Sequence, residues 1–162
     1  MLDLIPYIHT LAGVAVLCVV TWAFLRPCSI LRCLAAVVAV WITGYIYGGL
    51  TGDYTHWQFN TLTDALAAWI ILRHPAGKVQ SALGGTFAVQ IAMHSAYGAR
   101  ELWSKADPVA YYEMLTIVAY AQLAIMGLWC GGLWGRAAID WWRHRHRAMD
   151  RRKGAQGVGR FG

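Results

Sequence analysis

Asp64 is an ionisable residue inside an otherwise apolar run, and Asn60 stands four residues before it. On a helix that spacing puts both side chains on one face, one turn apart. Gln90 and His94 repeat the i, i+4 arrangement in a later apolar run, and His9 lies in the first one. Asp53 and His56 occupy the short polar stretch just before Asn60. Hydrocarbon penalises such groups unless they face a partner or a cavity. Two roles therefore fit the set: hydrogen-bonded glue between helices, or a site for an ion, a proton or a cofactor. The spacing alone leaves both open.

The same residues exclude several chemistries. There is no HExxH or comparable ligand motif, and no Ser, Cys or carboxylate stands beside a convincing base. No catalytic residues and no metal site are assigned. No cofactor is expected, with one exception that the residues allow: His9 and His94, on different helices at similar depth, could ligate the iron of a haem b from opposite sides.

The elements that must position these groups are long apolar runs. Of 162 residues, 58% are hydrophobic and only 14% are charged, a balance foreign to a soluble domain of this size. About 20 apolar residues cross a bilayer core. The segments 4–25, 79–99 and 114–135 meet that without one Asp, Glu, Lys or Arg, and 33–50 is slightly shorter and also uncharged. The segment 57–72 is sixteen residues long and carries Asn60, Thr61, Thr63 and Asp64 in its first half, so it either spans or dips in as a re-entrant segment. Counting it as a span gives an all-α, polytopic bundle of five transmembrane helices over residues 1–139. The N-terminus is then outside and a basic cytoplasmic tail covers 140–162.

Charge placement supports that count. With five spans and an external N-terminus, twelve of the fourteen Lys and Arg residues fall on the cytoplasmic side, leaving Arg100 and Lys105 outside beside Asp3, Asp53, Glu101, Asp107 and Glu113. The start Met1-Leu2-Asp3 has no basic n-region, so the first helix is expected to be retained. Asp107-Pro108 is read as an interruption, with 108–112 turning before the last helix begins. Past Ile139 the tail is expected to form an interfacial helix followed by disorder. Cys18, Cys28, Cys33 and Cys130 lack CxxC spacing and are expected to be free thiols.

Two small-residue ridges stand out. Gly44, Gly48 and Gly52 run along the outer end of the second span, and Gly127, Gly131 and Gly135 along the inner end of the fifth, both at GxxxG spacing that lets helix backbones approach. They serve internal packing or self-association. Arg143, Arg145, Arg147, Arg151, Arg152 and Lys153 suit the anionic lipid headgroups of a cytoplasmic surface. A nucleic-acid partner is not expected, because no stacking or groove-reading element accompanies them.

The stretch TLTDALAAWIILRHPAGK (61–78), with QIAMHSAYGAR (90–100), resembles small polytopic membrane proteins of bacteriophages and prophages. The resemblance implies a bacterial inner membrane and transfers no functional residues. The function expected is that of a non-enzymatic protein acting by helix–helix assembly or by binding a membrane partner, holin-like in its phage-linked form. The alternative is a redox or ion- or proton-conducting subunit built on the His and Asp residues of the outer leaflet.

Overall fold

In a computed structural model of the chain, the described residues are 4–52, 56–73, 77–103 and 106–158; side chains are described for these except 4–6, Cys28, His146 and 148–158. They form five α-helices, α1 (Leu4–Leu25), α2 (Cys28–Thr51), α3 (Trp57–Leu72), α4 (Lys78–Trp103) and α5 (Pro108–Val158), and no strand among the described residues. Three helices are long and apolar enough to cross a membrane, over Tyr7–Leu25 in α1, Ser29–Thr51 in α2 and Pro108–Arg145 in α5.

Three helix boundaries differ from the sequence expectation, each for a local reason. Helix α2 starts at Cys28, directly after Pro27, because Arg32 limits a hydrocarbon span but does not limit a helix. Pro108 is the first residue of α5 and not part of a turn. The Asp107 carboxylate accepts a hydrogen bond from the Val109 N–H at 2.9 Å, so Asp-Pro here is a capped helix start with proline where no amide donor is needed. Helix α5 also runs on through the basic segment without a break at Ile139. Its 51 residues make a rod of about 77 Å at 1.5 Å per residue, against a hydrocarbon core of about 30 Å. The expected disorder after the interfacial stretch is absent as far as Val158, since Ala, Arg and Met favour helix and neither Pro nor Asn interrupts 136–153.

Short connections make successive helices antiparallel, and α1 packs on α2, α2 on α3, α3 on α4, α4 on α5 and α5 back on α1. The result is a closed ring of five. Helices α3 and α4 share the most extensive interface. The buried residues of α4, Gln80, Leu83, Gly84, Phe87, Gln90, His94, Tyr97 and Gly98, recur every three or four positions and so form one continuous stripe. A Cβ added at Gly84 would run into the Leu72 side chain, and one at Gly98 into the Trp57 indole. These two glycines, not a GxxxG run, set how closely α3 and α4 approach.

The ring has two unlike ends. At the end where α2 and α4 begin, Cys18, Ile30, Cys33, Val37, Ala67, Ile71, Leu83, Phe87, Met126 and Cys130 form a dry apolar core. Cys18, Cys33 and Cys130 are free and buried there, with the Cys18 and Cys130 sulfurs 3.7 Å apart; the Cys28 thiol lies outside the described side chains. Around this end, Arg26 stacks on Trp22 and Arg73 on Trp69, and further along α5 Arg145 stacks on Trp141, each across one helical turn with the guanidinium 5.0–5.1 Å from the ring centre. The other end is polar and hollow.

Candidate functional site

The hollow end holds a cavity of about 260 Å³ to which all five helices contribute. Its aromatic wall is Tyr7 from α1, Trp41 and Tyr45 from α2, and Tyr112 and Tyr120 from α5; its polar wall is Asn60 and Asp64 from α3 and Gln90 and His94 from α4. The aromatic rings brace one another. Tyr7 meets Tyr120 edge-on with centroids 5.5 Å apart, packs at 5.7 Å from Trp41, and Trp41 stacks on Tyr45 at 6.0 Å.

Asp64 and His94 are in direct contact. The His94 Nε2 to Asp64 Oδ2 distance is 2.9 Å, and the two side chains are 4% and 2% exposed. The other His94 nitrogen, Nδ1, is hydrogen-bonded to the Tyr111 hydroxyl. With a neutral imidazole the Tyr111 O–H donates to Nδ1 and the Nε2–H donates to the Asp64 carboxylate, a relay running across α5, α4 and α3. Asn60 also hydrogen-bonds the Tyr111 side chain. Tyr97 fixes the Tyr111 ring from the far side by stacking at 4.1 Å. A turn nearer the apolar core, Gln122 Nε2 donates to Gln90 Oε1 at 2.7 Å and ties α5 to α4.

Four of the five residues grouped from the sequence as an intramembrane polar cluster, Asn60, Asp64, Gln90 and His94, are thus brought to one cavity. His9 is not among its lining residues and is exposed on the outer surface of α1. Tyr7 faces the cavity, and a residue two positions further on is turned about 200° around the helix axis. With both His94 nitrogens hydrogen-bonded and His9 on the outside, the two histidines do not face each other across a common space, and the haem geometry drawn from the sequence has no support in this arrangement. His56 lies at the ring's rim, where its Nε2 is 2.8 Å from the Thr51 hydroxyl and its ring meets Tyr47 edge-on at 4.6 Å. Asp53 lies outside the described residues.

Of the glycine ridges, Gly44 lies against Asn60, where an added Cβ would sit 3.7 Å from Oδ1; Gly48 is buried, and its carbonyl accepts the N–H of Gly52, which closes α2 at a φ of 72°. Gly127, Gly131 and Gly135 have nothing within 4 Å of an added Cβ and pack on no other helix of the ring. Arg143, Arg145 and Arg147 are exposed along the extension of α5, where Arg143 lies 3.9 Å from Asp140. The side chains of Arg151, Arg152 and Lys153 lie outside the described residues.

Tyr111, Gln122 and the aromatic wall were not singled out from the sequence. Tyr111 falls in the segment read as a turn, and Gln122 is a single uncharged amide in an apolar run. A search of predicted spans for any side-chain donor or acceptor, extended one turn past each end, would have found both.

Chemically the site can hold one proton between two bases, bind a ligand through amide and phenol groups, and exclude water from the apolar core beneath. Among the lining residues the one aliphatic hydroxyl, Thr116, donates to the Tyr112 carbonyl within its own helix. No family model, curated protein or solved structure matches the chain.

Proposed function

We propose that the chain is a five-span protein of the bacterial inner membrane that holds a small ligand and a proton in its outer half, with the N-terminus outside and the 140–162 segment at the cytoplasmic surface. One observation carries this reading: all five helices line one cavity, and the one carboxylate–imidazole pair buried among the described residues, Asp64 and His94, forms part of its wall. Glue alone requires a hydrogen bond and no space beside it. The apolar core closes the cavity at its inner end, which favours a binding site open to one side over a standing pore.

Support for the span count comes from α3. Its 16 residues cover only about 24 Å, but Trp57 against Gly98 and Leu72 against Gly84 keep it on α4 from one end to the other, so the two cross together. Support for the orientation comes from Arg26 and Arg73, each stacked on a Trp near the apolar-core end of the ring, the end that the excess of basic residues assigns to the cytoplasm.

The test is chemical accessibility. A membrane-impermeant maleimide added to spheroplasts should label Ala119→Cys at the cavity and should not label Leu83→Cys in the core. Labelling of Ala119→Cys only in inverted vesicles would reverse the orientation, and no labelling from either side would remove the open cavity.

A second reading, self-association in the manner of a holin, has its own observation in the uncovered Gly127, Gly131 and Gly135 ridge. Disulfide trapping between copies carrying Gly131→Cys, performed in membranes, tests it: dimers absent at every oxidant concentration count against assembly through this face.

A further inference from the structure

The cavity reading leaves open what the site takes, and its walls answer that. Asp64 and His94 are the one carboxylate and the one imidazole among the lining residues. The ionisable residues facing them from the other helices, Tyr7 on α1, Tyr45 on α2 and Tyr111, Tyr112 and Tyr120 on α5, are phenols, and no Lys, Arg or Glu lines the cavity among the described residues. With one proton shared, the pair is neutral overall, whether written as carboxylate and imidazolium or as acid and imidazole. Without it, the pair carries one negative charge in a site walled by apolar and aromatic groups, where an uncompensated charge is strongly disfavoured.

A monovalent cation neutralises the deprotonated pair as a proton does. Five aromatic residues line the same cavity and select the kind of cation, because aromatic rings attract a diffuse alkylammonium and desolvation strengthens that attraction. A volume of about 260 Å³ is below that of drug-sized pockets and suits a small organic ion.

We propose that the cavity binds a small organic ammonium ion in exchange for one proton, the Asp64–His94 pair holding either the proton or the ion and the aromatic wall facing the ion's alkyl groups. This rests on the cavity being a binding site. No covalent bond changes; one proton leaves the pair for each monovalent cation that enters.

The experiment is calorimetric titration of the full chain in lipid nanodiscs with benzyltrimethylammonium and with neopentylbenzene, its uncharged isostere, from pH 5 to pH 9 at constant potassium. Paired buffers of different ionisation heat count the protons released. Benzyltrimethylammonium affinity should rise tenfold per pH unit through the pair's titration and then level off, with up to one proton released, while the isostere's affinity stays flat. Asp64→Asn should remove the pH dependence. Tyr120→Leu should weaken the cation at least fivefold more than the isostere, a readout that does not depend on altering the buried pair.

A pH-independent affinity for the cation, or an isostere that binds as tightly, would overturn the exchange and leave the cavity as a site for neutral ligands. Binding of neither probe, with heats unchanged by the cavity-filling Ala119→Phe, would overturn the exchange and the binding-site reading together.

Discussion

Removing the Asp64 carboxylate should destabilise the bundle in a way that depends on His94. In Asp64→Ala the His94 Nε2, 2.9 Å from Oδ2 in the native pair and almost fully buried, loses its partner. A buried donor left unsatisfied costs about 1–3 kcal/mol, and one member of a buried charged pair left alone about 3–5 kcal/mol, so about 3 kcal/mol is expected. That is roughly a 150-fold change in the folded-to-unfolded ratio. Asp64→Asn keeps an acceptor oxygen in place and should cost about half as much. The double variant Asp64→Ala/His94→Ala removes the orphan as well as the carboxylate. Its destabilisation should fall short of the sum of the single variants by about 1–3 kcal/mol, the coupling of residues in contact. Reversible unfolding in mixed micelles, followed by far-ultraviolet circular dichroism, measures all four corners of the cycle. Strict additivity, or an Asp64→Ala variant as stable as the wild type, would refute the buried contact.

Three further outcomes follow from the packing. Gly98→Leu should destabilise by about 1–3 kcal/mol through collision with Trp57, whereas Gly131→Leu, on the open side of α5, should leave the monomer's unfolding midpoint within error of the wild type. Mild oxidation should join Cys18 to Cys130, whose sulfurs already touch at 3.7 Å, seen as the loss of two hydrogens by intact mass and as one disulfide-linked peptide pair; pairing of either with Cys28, at the first residue of α2, would contradict the α1–α5 closure of the ring. Replacing Arg143, Arg145 and Arg147 with Gln should reduce the anionic lipid retained per protein in native mass spectrometry, at about 1 kcal/mol for each charge. Unchanged retention would show that the exposed rod does not lie on headgroups.

The helices and the polar wall were largely legible in the sequence because they obey local rules. Apolar length located α1, α2, α4 and α5, charge placement decided for the short and partly polar α3, and the i, i+4 pairs Asn60/Asp64 and Gln90/His94 each predicted one inward face. What the sequence hid was lateral. His9 shares its depth with the cavity but points away, since depth follows residue number whereas direction follows a 100° step per residue. Tyr111 closes the relay from a segment whose Asp-Pro start reads equally well as a turn and as a capped helix. The glycines that govern the closest helix contact, Gly84 and Gly98, are fourteen residues apart and form no motif, while the regular ridge at 127–135 faces no other helix of the ring. The change in composition at Ile139 reads as a boundary, yet α5 runs through it, because a basic segment without Pro can stay helical beyond the apolar run.

The relay from Asp64 through His94 to Tyr111 is tested most directly at one imidazole. Nitrogen-15 NMR of histidine-labelled protein in lipid nanodiscs, with His94 assigned by its loss in His94→Gln, reads the hydrogen bonds at both ring nitrogens. The His94 signal should shift on both Asp64→Asn and Tyr111→Phe while that of His9 stays in place, since each substitution removes or alters one partner of the ring. A His94 signal indifferent to those two substitutions would refute the relay.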